Sequence, residues 1–313
     1  MDLFQIISDI EKVDPEVYER FDTRRRVFKH MSGLGKKLSA AAVPGMLSAM
    51  FNKAYGQAAP SDVAATLNLA LSLEYLERYY YQAGIDRGLF SGGDLTAITI
   101  IRDDELGHIA ALRGIQLTGY TPIADPTAAA FDYTAGGKLT PFTSAANFLG
   151  TAQAFVDTGV RAYKGGAASL INNKDILTAA LNIHSVEARH SSHIRTMRRN
   201  GTGAVGQVAG GAGNTTPKSW VSLQENGGPV PAVTAPVYAA GTDATKFPAE
   251  DNVTQSTFNA QTGSPAPAGL TVSADAARAA ATEAFDEPLD AAAVKTIARN
   301  FRSAAGITLG LFA

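Results

Sequence analysis

The sequence predicts an all-α fold: a four-helix bundle of two helical hairpins with a long crossover, plus an irregular Gly/Pro-rich arm and C-terminal helices. Three observations carry this. Between residues 61 and 200, four long stretches place apolar residues at alternating steps of three and four. Glycines or capping residues bound each stretch. The connection between the second and third is much longer than its neighbours, as a crossover between two hairpins requires.

The first helix is expected from about Asp62 to Ala83, with Ser61-Asp62 as its cap and Gly84 as its end. The second runs from Asp94 to Leu117, between Gly92-Gly93 and Gly119. Residues Tyr120 to Thr140, with two prolines and a Gly-Gly pair, form the crossover. The third helix spans Ser144 to Lys164 and the fourth Lys174 to Asn200, closed by Gly165-Gly166 and Gly201. Residues 61–200 are thus one bundle. Residues 201–272 are dominated by Gly, Ala, Pro, Thr and Ser, where helix is not expected. They read as an extended low-complexity arm, either packed on something or partly disordered. Residues 273–313 are helical again, in two pieces broken around Pro288, with Asp290 capping the second and an apolar tail from Ile307 to Phe312.

Composition narrows the function classes. A net charge of −2 and a pI near 6.2 give no electrostatic footprint for nucleic acid. Without cysteine there are no disulfides, thiolate nucleophiles or zinc-thiolate sites. No apolar run is long enough to span a membrane. Residues 1–58 stand apart. Thr23-Arg24-Arg25-Arg26-Val27-Phe28-Lys29 has the pattern of a twin-arginine export signal, followed by a modestly apolar stretch and Ala54-Tyr55-Gly56-Gln57-Ala58-Ala59-Pro60. This implies export to the periplasm or cell surface; the competing reading is a basic amphipathic helix on a cytoplasmic protein.

The chemistry lies on the helix seams. The second helix's seam is Ile98, Ile101, Glu105, His108, Leu112, Ile115, and the fourth's is Ile176, Ala180, Ile183, Glu187, His190, Ile194, Met197. Both put a carboxylate and an imidazole where apolar side chains belong. A lone buried carboxylate costs several kcal/mol unless it is neutralised, paired or bound to metal. Two-metal bundles use this arrangement: Glu-x-x-His from each of two helices and a single Glu from each of the other two. The first helix offers Leu67, Ala70, Glu74, Glu77, Tyr81. Glu74 precedes Glu105 by 31 residues, and the same step back from Glu187 falls on the third helix's seam of Leu149, Ala152, Val156, Gly159 and Tyr163. The spacing predicts a carboxylate at 156, and the residue is valine. Gln153 and Asp157 are the nearest polar side chains, the latter about 100° round the helix.

Four motifs point to a known family. Leu71-Ser72-Leu73-Glu74-Tyr75-Leu76-Glu77, Asp104-Glu105-Leu106-Gly107-His108, Asp157-Thr158-Gly159-Val160-Arg161-Ala162-Tyr163 and Val186-Glu187-Ala188-Arg189-His190 resemble the ferritin-like proteins called desiccation-related, as does Ala284-Phe285-Asp286-Glu287-Pro288-Leu289 near the end. The resemblance implies a ferritin-like bundle with a two-metal carboxylate site, usually iron or manganese. By matching positions, Glu74, Glu105, His108, Glu187 and His190 are the ligands it implies. Val156 departs from the pattern, since the family commonly has a glutamate there, and this puts oxidase chemistry in doubt.

Several side chains keep two readings. Glu77 is a replacement ligand or an outer partner that orients one, and Asp157 is a hydrogen-bond partner of the fourth helix ahead of a ligand. His184 and His193 lie off the seam. Tyr79, Tyr80 and Tyr81 read as core packing ahead of electron donors. Arg189, Arg195, Arg198 and Arg199 read as the solvated end of the fourth helix. Two functions stay open: a metal-binding protein of stress protection that consumes peroxide or oxygen, or a metal-free structural protein on the same bundle. The arm, residues 202–272, points to a homo-oligomer and argues against a closed storage cage.

Overall fold

The computed structural model describes residues 61–200, 217–255, 258–263 and 272–313. The twin-arginine-like segment lies outside these residues. Four helices form the bundle: α1 Ser61–Asp86, α2 Gly92–Arg113, α3 Ala145–Gly166 and α4 Lys174–Asn200. Helix α1 packs chiefly on α2 and α3 on α4, giving two hairpins that face each other. The predicted seams of α2 and α4 are buried along their whole length, including the glutamates and histidines.

Several helix ends differ from the sequence expectation by two to four residues, among them the close of α1 and of α2. Helix α1 continues through Gly84 to Asp86. A Cβ at Gly84 would fall 2.3 Å from the Phe148 ring, so this glycine lets α3's aromatic residue sit against the helix backbone. Phe148 in turn stacks on Tyr80 at 4.3 Å between ring centres. Helix α2 stops at Arg113, with the Gly114 amide closing on Ala110 and Ala111. The Tyr120 hydroxyl then donates to the Leu112 carbonyl, satisfying an acceptor that a longer helix would have used. Helix α3 begins after Ser144, whose hydroxyl accepts from the Asn147 amide as a cap should.

Beyond the bundle the correction is larger. Residues 217–255 lie on their own bundle and contain a helix, α5 (Pro231–Tyr238), where none was expected. Pro231 sits in its first turn, where the missing amide costs nothing, and Val233, Val237 and Tyr238 are buried. A short antiparallel pair, β1 (Thr254–Gln255) and β2 (Phe258–Asn259), and a single turn, α6 (Ala260–Gly263), follow. Helices α7 (Ala274–Thr282), α8 (Ala291–Ala298) and α9 (Ala304–Thr308) close the chain, capped by Ser273, Asp290 and Ser303.

Buried arginines bind these outer segments to the bundle. Arg161 of α3 donates to the carbonyls of Glu287, Ala239 and Pro248 and pairs with Glu250 at 2.9 Å. Arg195 of α4 pairs with Glu225 at 3.0 Å and with Asp157. Arg198 donates to Gln153 of α3. Arg195 and Arg198, read from the sequence as solvated, are fully buried because the arm covers that face of α4; Arg189 and Arg199 do face solvent.

Candidate metal centre

Halfway along the bundle the seams of α1, α2 and α4 bring six polar side chains together: Glu74, Glu77, Glu105, His108, Glu187 and His190. All six are buried. The Nδ1 of His108 lies 3.1 Å from Glu74, 3.0 Å from Glu105 and 3.2 Å from Glu187. The Nδ1 of His190 lies 3.2 Å from Glu105 and 3.6 Å from Glu187. Glu105 and Glu187 thus each reach both imidazoles, whose ring centres are 6.2 Å apart. One donor atom from each of Glu74, Glu105, His108 and Glu187 falls within 4.8 Å of the other three.

The electrostatics are those of charges with too little compensation. Burial pushes the Glu74 carboxyl up to about 8, with His108 opposing and the neighbouring carboxylates adding to the rise. Glu77 is driven well above its usual range by burial, then by Glu187 and Glu105. Burial alone would raise Glu105 too, but His190 and His108 outweigh it and hold it well below a normal carboxylate. Burial would lower both histidines; Glu74 and the hydrogen-bonding carboxylates instead hold His108 well above 6.5, and Glu105 with Asp104 does the same for His190.

The donor set also fits a cation in its unsatisfied atoms. Glu105 Oε1, both oxygens of Glu187 and His190 Nδ1 are buried with only one another or His108 Nδ1 beside them at 3.2–3.6 Å, and with no well-aligned hydrogen bond. Buried polar atoms are nearly always satisfied, so four orphans facing one another in a carboxylate-imidazole cluster suit a bound ion. Four carboxylates with two imidazoles match hard to borderline divalent metals such as iron or manganese.

Several partners were not legible as such in the sequence. The Tyr163 hydroxyl of α3 donates to Glu74 Oε1. Asp104, beside Glu105 in the sequence and half-exposed, accepts from the Nε2 of His190 at 3.1 Å. Gly159 faces the cluster from α3: a Cβ there would lie 3.4 Å from Glu187 Oε2 and 3.5 Å from Glu77 Oε1. Val156 is fully buried in the core. An offset of 82 residues, which carries Glu105 to Glu187 and His108 to His190, also carries Tyr81 to Tyr163; that repeat was the available signal for the tyrosines.

Asp157 stands outside the cluster. Its carboxylate accepts from Ser191 at 2.6 Å and Tyr238 at 2.7 Å and pairs with Arg195. The 100° turn away from Val156 aims it at α4 and the arm. His184 is half-buried, its Nδ1 at 3.0 Å from the Val160 carbonyl, and His193 is exposed. Tyr80 belongs to the aromatic core, and Tyr79 bonds Asp125 at 2.7 Å.

Residues 62–200 match the family described as Ferritin-like domain. The match spans the four-helix bundle and ends before the arm, so the bundle is a ferritin-like domain. No curated protein and no solved structure matches the chain. Among the described residues no helix is long and apolar enough to cross a membrane.

Proposed function

We propose that this chain is a metal-binding ferritin-like protein, related to the desiccation-related group, whose bundle holds iron or manganese for the removal of peroxide or oxygen under stress. The observation that carries the reading is the buried convergence of Glu74, Glu105, His108 and Glu187, with donor atoms within 4.8 Å of one another and His190 Nδ1 3.2 Å from Glu105. When bound, iron or manganese would supply redox cycling and Lewis acidity toward a small oxygen species.

The chain's own residues do the rest. Glu105 and Glu187 each reach both imidazoles, and with His108 and His190 they would hold the metal. Tyr163 fixes Glu74 and Asp104 orients His190. The apolar seams above and below keep bulk water out. A largely apolar cavity of about 170 Å³ is lined among others by Leu73, Leu112, Ala180 and Tyr163.

The test is elemental analysis of protein purified without chelator. About one ion or more per chain is expected; less than about 0.2, with no uptake on reconstitution, overturns the reading. A second reading, a metal-free structural or protective protein, is favoured by Val156, which removes a carboxylate from the third helix. The same measurement separates the two. Export rests on the twin-arginine-like motif alone, and a double substitution Arg24→Lys, Arg25→Lys should then retain the protein in the cytoplasm on cell fractionation.

A further inference from the structure

The bundle's third helix offers no carboxylate to the centre, yet the centre still contains four. Glu77, one turn beyond Glu74 on α1, is buried among the ligand candidates. Its Oε1 and Glu187 Oε2 both approach the point where Gly159 lacks a Cβ, at 3.5 and 3.4 Å. Any side chain longer than alanine at 159 would occupy the space Glu77 uses. The absence of a side chain on α3 and the extra carboxylate on α1 are therefore complementary.

We propose that Glu77 takes the place of the missing third-helix carboxylate, completing a second cation position with Glu105, Glu187 and His190, so that α1 alone supplies both carboxylates outside the Glu-x-x-His pairs. This rests on the metal-binding reading above and deepens it.

Three observations support the assignment. The two imidazoles are not equally supplied: His190 Nδ1 has Glu105 Oε1 at 3.2 Å and Glu187 Oε2 at 3.6 Å, whereas His108 Nδ1 has Glu74, Glu105 and Glu187 Oε1 at 3.0–3.2 Å. Glu77 Oε1 and Glu187 Oε2, the oxygen that faces His190, both lie beside Gly159. Next, the tyrosines obey the hairpin repeat while the carboxylates do not. Tyr163 donates to Glu74, and the repeat would have its counterpart Tyr81 meet residue 156. With valine there, the Tyr81 hydroxyl lies instead 3.5 Å from Glu77 Oε2. Glu77 is thus held by the residue that would have held the absent ligand. Last, charge closes. Glu74, Glu77, Glu105 and Glu187 carry the four negative charges that balance two divalent cations, the same carboxylate number as in bundles whose third helix contributes one. Buried glutamates without that balance would cost several kcal/mol each.

The experiment counts Mn²⁺ bound by the full chain after chelation and reloading with Mn²⁺ alone, by elemental analysis and by the electron paramagnetic resonance of the bound ions. Wild type is expected to hold two ions with an exchange-coupled spectrum. Glu77→Gln, which keeps the shape and removes the charge, is expected to hold one ion with an uncoupled six-line spectrum. Glu77→Gln with Val156→Glu should regain the second ion and the coupled spectrum, which a merely structural defect would not. Two ions in Glu77→Gln, or one ion in both wild type and Glu77→Gln, overturns the inference while leaving metal binding intact. No Mn²⁺ in wild type overturns the metal-binding reading beneath it.

Discussion

Tyr163 and Glu74 belong to different hairpins, and the hydroxyl of the one donates to the carboxylate of the other inside the core. The bond ties α3 to α1 at the level of the centre. It also leaves the second Glu74 oxygen beside His108, 3.1 Å from its Nδ1. A tyrosine thus sets the orientation of a carboxylate on the opposite hairpin.

Tyr163→Phe should therefore weaken metal binding without unfolding the bundle. The ring stays packed and only the donor is lost. Outer partners of metal ligands are typically worth about 10-fold or more in affinity, so a Mn²⁺ titration should shift by about one order of magnitude. An unchanged isotherm would remove Tyr163 from the ligand-orienting set.

The protons of the metal-free centre give it a distinctive pH dependence. Glu74 is raised to about 8 in the fold, against 4.5, chiefly by burial. A carboxyl raised in this way favours the fold in its protonated form, so that contribution declines as pH climbs from about 4.5 toward 8. His108 and His190 are held above 6.5 because their carboxylate neighbours outweigh burial, and their contribution is lost as pH rises through the folded values. Glu250, raised to about 8 by burial despite Arg161, has the same sign as Glu74. Glu105 is lowered, so its contribution is lost only in acid, outside this window. The metal-free protein should accordingly lose on the order of 5 °C in melting temperature between pH 6 and pH 8. Metal-loaded protein should lose less, because the ion replaces the protons of the centre, though not that of Glu250, and is itself displaced by acid. Scanning calorimetry of both forms across this range checks the contrast.

How much of this was legible in the sequence depended on the range of the interaction. The four bundle helices and their seams were, because period and caps are local, and a Glu or His on an apolar seam is conspicuous wherever it occurs. Helix α5 was not. Its Pro- and Gly-rich surroundings argue against helix locally, and it is held by Tyr238 bonding Asp157 across 81 residues. The same contact reversed the reading of Arg195, which looks like an exposed helix-end cation until the arm covers it. Glu77 was ambiguous because its place depends on Gly159, and an absent side chain leaves no periodic signal.

Asp157 supplies a test of stability uncoupled from metal. Its carboxylate neutralises Arg195, which is fully buried, and also accepts from Tyr238 and Ser191. Asp157→Ala leaves a buried guanidinium with Glu225 as its remaining charged partner. Breaking a buried pair this way costs about 3–5 kcal/mol, so chemical denaturation should show a large loss of stability. Metal content per folded chain should be unchanged. A variant that loses metal but not stability would place Asp157 in the centre after all.

His190 and Asp104 link the buried centre to the surface. His190 directs its Nε2 at Asp104, 3.1 Å away, and Asp104 is half-exposed while His190 is not. A proton on Nε2, donated to that carboxylate, leaves Nδ1 as the nitrogen facing Glu105 and Glu187. Asp104→Ala removes the acceptor and with it the bias between the two ring nitrogens. Because Asp104 lies at the surface, the fold should tolerate the change with little loss, within about 1 kcal/mol. Affinity for Mn²⁺ should nevertheless fall by about 10-fold or more, the range expected when a ligating histidine loses its orienting carboxylate. Nitrogen-15 spectra of the metal-free protein, taken at a pH high enough for the His190 ring to have lost its extra proton, should show it moving from a dominant Nε2-bound proton toward a mixture of forms. If affinity falls while the ring signals stay as in wild type, Asp104 acts through its charge at the surface and not by orienting His190.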